Sequence, residues 1–265
     1  AQSRGEAFYR GELAAKIAAS ARAHGAALSE ADLAAHDCDW CGTISTSFRG
    51  RDVHEIPPNG QGIAALMALG ILEHCDLDGL APDSAAALHL QIEAVKLALA
   101  DVERTVADPA HMTVTAEALL DPGYLRRRAG MIAPRRAALP AAGVPAQGGT
   151  VYLAAADAAG MMVSFIQSNY AGFGSGVVVP GTGIHLQNRG FGFTLQPGHP
   201  NRVGPRKRPF HTIIPGFVMR QGAPLMSFGV MGGPMQAQGH VQMVLRTQFW
   251  GQNPQAASDA PRWRG

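Results

Sequence analysis

Apolar residues recur at helical spacing through most of the first half of the chain. Leu13, Ile17 and Ala21 form one stripe of an Ala-rich stretch from Gly11 to His24, which predicts an amphipathic helix. Ser29-Glu30-Ala31-Asp32 has the paired hydroxyl and acid of a capping box and predicts a short helix behind it. Gly62 to Glu73, with Ile63, Leu66, Met67, Leu69 and Ile71, predicts a third. The longest, from Ser84 to Val106, opens after Pro82-Asp83 and carries its stripe through Leu88, Ile92, Val95, Leu99 and Val102. Leu119 to Met131 reads as one more helical piece. Thr43 to Ile56 breaks the series: β-branched residues alternate there and run into Pro57-Pro58-Asn59-Gly60, a strand or hairpin closed by a turn.

The period changes after a linker. Pro134 to Gly149 is built of Ala, Pro and Gly, cannot pack a core, and reads as an exposed, mobile connector. From Thr150 the spacing is that of strands. Thr150 to Ala156, a turn at 157–160 and Met161 to Ser168 predict a hairpin. Gly176 to Val179 and Ile184 to Gln187 predict short strands around Pro180-Gly181-Thr182-Gly183. Ile213 to Met219 and Leu225 to Val230 predict a second hairpin across Arg220-Gln221-Gly222-Ala223. Gln236 to Phe249 and Pro254 to Ser258 read as helices. Helices, then sheet, then helix implies a layered α/β arrangement, without a repeat of solenoid period.

Composition narrows the function classes. With 46% hydrophobic and 16% charged residues, the 265-residue chain suits a packed globular enzyme and not a disordered segment. A net charge of +2, with only Arg126-Arg127-Arg128 and Arg206-Lys207-Arg208 as basic clusters, gives no footprint for nucleic acid; both clusters read as solvated turns. No apolar run is long enough to predict a membrane span. Cys38 and Cys41 have C-x-x-C spacing, but no second ligand pair completes a zinc site, and with Cys75 the three read as incidental thiols. The ten histidines form no H-E-x-x-H or tight pair, so no metal is expected. No organic cofactor is expected either. Both ends read as cuts through something longer, and the compartment is not readable from them.

The chemistry concentrates at Gly148-Gly149-Thr150. Two glycines allow strained geometry at a peptide bond, and a threonine hydroxyl lies beside its own preceding carbonyl. An N-to-O acyl shift there, followed by ester hydrolysis, would cut after Gly149 and free Thr150 as a new N-terminus. Its α-amine, with an ordinary pKa of about 7.7–8.0, would then serve as base for its own hydroxyl.

Several separated segments, in order, resemble the γ-glutamyltransferase family of N-terminal-nucleophile hydrolases. They are Phe8-Tyr9-x-Gly11-Glu12-Leu13-Ala14, Pro57-Pro58, the strand Thr150 to Asp157, Gly172-Phe173-Gly174-Ser175-Gly176, Gly183-Ile184-x-Leu186-x-Asn188, Gly204-Pro205-x-Lys207-Arg208-Pro209, Gly232-Gly233 before a helix, and Asp259-Ala260-Pro261-Arg262. The resemblance implies an αββα sandwich, incomplete at both ends. Residues 1–149 would be the mainly helical end of a large subunit and 150–265 a small subunit carrying the catalytic strands, one composite domain. It implies Thr150 as nucleophile and base, Ser168 in place of a second threonine that contacts it, and Gly232 and Gly233 as backbone oxyanion donors. It also implies a heterodimer of the two self-cleaved pieces. By family analogy the compartment is the periplasm or outside the cell, with the cytoplasm as the alternative.

Four positions depart from the family. The Asp that pairs with the γ-glutamyl ammonium reads as Gly192, a nearby Gln as Arg189, an Asn as Tyr170, and the Ser-Ser pair that holds the α-carboxylate as His211-Thr212. Arg189 is then either a surface residue or a bidentate anchor for an anionic acyl group. The segment from Phe193 to Val203 is shorter than the family's lid, as in its acylase-like branch. The function expected is cleavage of γ-glutamyl or related acyl amides through an acyl-threonine, with water or an amine as acceptor. The alternatives are a dicarboxylic-acid amide acylase and a homologue that binds without turnover.

Overall fold

The computed structural model of the chain describes residues 3–137 and 150–265. Most of the connector, with Gly148 and Gly149, therefore lies outside the described residues.

Short helices α1 (Glu6–Tyr9), α2 (Glu12–Ala23) and α3 (Glu30–Ala34) come first. The Ser29 hydroxyl accepts from the Asp32 amide while the Asp32 carboxylate takes the Ser29 amide, so the expected capping box starts α3. Ala14, Ile17 and Leu33 bury a small apolar cluster with Val179 of a later loop.

Strands β1 (Ile44–Phe48) and β2 (Arg51–Glu55) form a hairpin around Arg49-Gly50, and β5 (Gly216–Arg220) and β6 (Ala223–Phe228) form another around Gln221-Gly222. Both two-residue turns have positive φ at both positions, the geometry whose twist matches the flanking strands. The four strands make one antiparallel sheet in the order β1-β2-β5-β6. It draws two strands from before Thr150 and two from after.

Helix α4 (Gly62–Leu72) is buried along its whole length, as an all-round apolar sequence requires. It packs on β1 and β2 and against α5 (Ala85–Thr105), α7 (Pro122–Ala129) and α8 (Met235–Val244). A Cβ at Gly70 would lie 2.4 Å from Leu125 Cδ1, so the glycine makes room for that side chain of α7. One buried hydrogen-bonded pair crosses this core: Glu55 Oε1 at the end of β2 lies 2.5 Å from His240 Nδ1 of α8, both side chains fully enclosed. Burial raises the Glu55 carboxyl above its ordinary value, and His240 opposes the shift. Glu55→Ala leaves the buried imidazole without this partner and is expected to cost about 1–3 kcal/mol, read from the midpoint of denaturant unfolding.

The second hairpin, β3 (Val151–Ala156) and β4 (Met162–Gln167), forms a separate two-stranded sheet. It docks against β6: the Tyr152 ring fills the space over Gly229, its hydroxyl lies 3.0 Å from Ser164 Oγ, and Ser164 donates to the Phe228 carbonyl at 3.3 Å. Its other face exposes Val151, Leu153, Val163 and Phe165.

Four expectations need correction. Leu119 to Met131 is two helices, α6 (Ala116–Leu119) and α7, because Asp121 caps a new start at Pro122. The strands expected at 176–187 reduce to one bridge, Val178 to His185, since glycines at positive φ on both sides interrupt extended pairing. The helix expected to reach Phe249 is α-helical to Val244 and π-helical over Leu245–Phe249. Arg126 to Arg128 sits on α7 and not in a turn, with Arg128 paired to Asp101 at 3.0 Å. The chain closes with α9 (Pro254–Asp259), as expected.

Candidate active site

Thr150 precedes β3 and is 8% exposed. Val151 pairs with Gln167 in the β3–β4 ladder, so one further step of the register sets Thr150 opposite Ser168. Side chains opposite each other across an antiparallel pair point to the same face, which brings the two hydroxyl-bearing residues together.

Ser168 leads to Arg189. The guanidinium donates through Nη2 to Ser168 Oγ at 2.5 Å and through Nη1 to Thr212 Oγ1 at 2.9 Å. Its carbon lies 5.1 Å from the centre of the Tyr170 ring, which covers one side of the cation. At 7% exposed, Arg189 is a buried cation and not a surface residue. Burial lowers its pKa, and the neighbouring Tyr170 opposes that; the group remains charged in any protein setting. Among the described residues no carboxylate pairs with it. Two of its five donors are used in these bonds. A short 3-10 turn, Arg189–Gly192, begins at this residue, and the Gln187 side chain holds its amide. Tyr170 takes a left-handed backbone, φ 78°, a costly conformation for an aromatic residue.

Gly192 has no room for a carboxylate. A Cβ there would lie 2.4 Å from the Phe210 carbonyl oxygen. Asn201 ties the two segments, donating to the Gly192 carbonyl at 2.6 Å and accepting from the Phe210 amide at 3.0 Å.

His211 is held between the loop before α4 and the arginine: its amide donates to the Asn59 carbonyl and its carbonyl accepts from the Gln61 amide. Desolvation first, and then the Arg189 charge, lower its pKa from 6.5 to about 4. It is neutral near pH 7 and adds no second cation. Below pH 6.5 the unfolded chain binds a proton that the folded chain refuses. Stability is therefore full above that pH and falls as the pH drops toward 4, by up to about 3 kcal/mol, less as solvent reaches the ring. His211→Asn is expected to flatten the pH dependence of Tm in that window, with an unchanged slope counting against the assignment.

Gly232 and Gly233 form the turn between β6 and α8, with φ of 128° and 61°, values that only glycine adopts without strain. The Gly232 carbonyl accepts from the Met235 amide and the Gly233 carbonyl from the Gln236 amide. Both glycine N–H groups are without a partner among the described residues. The turn joins the cluster through Gln61, whose Nε2 donates to the Thr212 carbonyl at 2.6 Å and the Gly233 carbonyl at 2.8 Å. Sequence reasoning missed Gln61, reading its surroundings as a plain turn. The only signal was a polar residue between two glycines at the start of a wholly apolar helix.

The structure thus joins Ser168, Tyr170, Arg189, His211 and Thr212 directly, Gly233 with Gly232 through Gln61, and Thr150 through strand register. Cys38, Cys41 and Cys75 are free thiols. Among the described residues, no group of His, Cys, Asp and Glu side chains could hold a metal ion, and no helix is long and apolar enough to cross a membrane.

Residues 1–265 match the family model described as gamma-glutamyltranspeptidase. A glutathione hydrolase-like YwrD proenzyme of Bacillus subtilis is 39% identical over 97% of this chain and 49% of its own length. An oxamate amidohydrolase proenzyme of Klebsiella pneumoniae is 36% identical over 97% of this chain and 48% of its own. Among solved structures, a cephalosporin acylase from Bacillus halodurans superposes with a TM-score of 0.90 at 50% identity, covering all of this chain and 48% of that one. The chain spans about half the length of the curated relatives it matches.

Proposed function

The chain belongs to the gamma-glutamyltranspeptidase family, one of hydrolases and acyltransferases made as proenzymes, and we propose that it carries the self-processing amidase site of a protein that cleaves amides of dicarboxylic acids. The observation that carries this reading is Arg189, a buried cation with no carboxylate partner among the described residues, bonded to the hydroxyl of Ser168, which directly follows the strand β4 that pairs with β3.

Cleavage after Gly149 frees the Thr150 amine. The Thr150 hydroxyl passes its proton to that amine and attacks the amide carbonyl. The oxyanion accepts hydrogen bonds from the Gly232 and Gly233 N–H groups, each such donor being worth about 3 kcal/mol in related chemistry. The leaving amine takes the proton, and the acyl group remains as an ester on Thr150. Water hydrolyses the ester, or an amine takes the acyl group. The carboxylate at the far end of the acyl chain sits in the fork of Arg189, oriented by Ser168 and Thr212.

This reading is favoured over a γ-glutamyl donor because that donor carries an α-ammonium. Gly192 cannot bear the carboxylate that would answer it, and the nearby charge is the cation Arg189. Oxamate, named for the Klebsiella relative, is itself a carboxylate beside an amide. We also take the four-stranded sheet and the β3–β4 hairpin as parts of the two facing sheets of an αββα sandwich, whose second helical layer would cover Val151, Leu153, Val163 and Phe165.

The experiment is intact-mass measurement and N-terminal sequencing of the purified full-length protein, followed by assay on a series of dicarboxylic acid monoamides. The expected result is two pieces, one beginning Thr150-Val151-Tyr152, and release of the free diacid. A folded chain that stays whole and inactive would favour the homologue that binds without turnover.

A further inference from the structure

We infer that Gln61 is a positioning residue: its side-chain amide holds the carbonyl of the Gly233–Pro234 peptide, anchors the C-terminal end of the Gly232–Gly233 turn, and so fixes where the Gly232 and Gly233 N–H groups point. The inference rests on the proposed role of that turn as oxyanion donor.

A Gly-Gly turn has no side chain with which to fix itself. Two positive-φ glycines let the chain pivot at small cost, and a turn pivoted about Gly233 no longer aims the Gly232 and Gly233 N–H groups at one point. The Met235 and Gln236 amides hold the two glycine carbonyls from the helix side, and Gln61 adds a hold on the Gly233 carbonyl from a distant segment. Gln61 is 1% exposed and reaches the turn from the other side of the sheet connection, 172 residues away in sequence. Its Nε2 lies within hydrogen-bonding distance of two carbonyl oxygens, Thr212 at 2.6 Å and Gly233 at 2.8 Å. Both partners are acceptors, so the amide must face them with its two N–H groups, and its orientation follows from the network.

The amide is not spent on its own helix. Gln61 stands at the N-cap of α4 yet makes no side-chain cap bond to it. Its backbone amide donates to His211, so one residue ties the 211–212 segment by main chain and side chain together. Thr212 in turn holds Arg189. Gln61 is therefore a joint between the acyl-recognition side of the site and its oxyanion side, beside the bond from the Ile214 amide to Gln236 Oε1. Without it the Thr212 and Gly233 carbonyls converge with no shared donor, the Gly233 carbonyl keeping only the Gln236 amide, and a shift of the Gly233–Pro234 peptide relieves them.

The test is steady-state kinetics of Gln61→Met and Gln61→Glu in the processed full-length protein, on an amide that the wild-type protein turns over. Gln61→Met keeps the shape and removes the donor. Its kcat is expected to fall about 10–100-fold, part of the loss seen when an oxyanion donor is removed, with KM changed less than about threefold. A wild-type kcat, or a loss confined to KM, overturns the inference. Gln61→Glu places a carboxylate against two carbonyl oxygens. Its kcat relative to wild type is expected to rise at least about tenfold as the pH is lowered from about 8 to about 5 and the acid becomes a donor. A flat ratio overturns the inference even where the Met variant fails to fold. Absence of turnover in the wild-type protein would count against the proposed function itself, which separates the two failures.

Discussion

Thr150→Ala is expected to leave the chain undivided and to remove at least about 10⁴-fold of its amide turnover. The reason lies in two steps that share one oxygen. Self-cleavage needs a hydroxyl next to the Gly149 carbonyl, and turnover needs the same hydroxyl next to a free α-amine, which exists only after cleavage. Alanine removes the oxygen from both. Thr150→Ser keeps the oxygen and loses the methyl group that restricts χ1, so it should still process and turn over, more slowly. Intact mass separates the outcomes without an assay. Cleavage of the alanine variant at the same bond would sink the assignment of Thr150, and an uncut serine variant would show that the hydroxyl alone is insufficient.

Arg189→Met should lower kcat/KM on dicarboxylic acid monoamides by about 10²–10³-fold and change it less than about threefold on an amide with a neutral acyl chain. Truncating one partner of a buried, hydrogen-bonded charge pair typically costs 2–5 kcal/mol, and about 1.4 kcal/mol is a factor of ten. Methionine fills the space without a charge, but Ser168 Oγ and Thr212 Oγ1 lose their donor. A small loss of stability should accompany the loss of selectivity. Arg189→Lys restores the charge as a point and cannot bridge both hydroxyls while holding a carboxylate in a fork, so it should recover only part of the rate. Equal losses on anionic and neutral substrates would mean that Arg189 supports the site without reading the acyl group.

The two variants probe different kinds of knowledge. Thr150 stood out in the sequence because a linker of small residues delivers it to the first position of a strand, a local pattern. Arg189 did not stand out in this way. Its neighbours in sequence, Asn188 and Gly190, suit a surface turn as well as a site, and its burial depends on Ser168, Thr212 and Tyr170, which approach it from separate segments. Likewise the 176–187 loop read as strands, since Val177-Val178-Val179 has strand composition. The glycines around it and its packing against α2 and α3 decided otherwise.

By itself, the sequence determined the local elements whose signals are short-ranged. These are the capping box at Ser29, the turn around Gln221-Gly222, the apolar helix α4, and the existence of the β3–β4 hairpin. Each depends on residues within a few positions, or on one strand pair joined by a tight turn. Only the tertiary structure decided that Arg189 is buried beside two hydroxyl groups, that Gly192 has no space for a side chain, and that Gln61 grips the Gly232–Gly233 turn. Those facts arise where segments distant along the chain are pressed together. Burial, excluded space and hydrogen bonds between such segments leave no periodic trace in the sequence of either one.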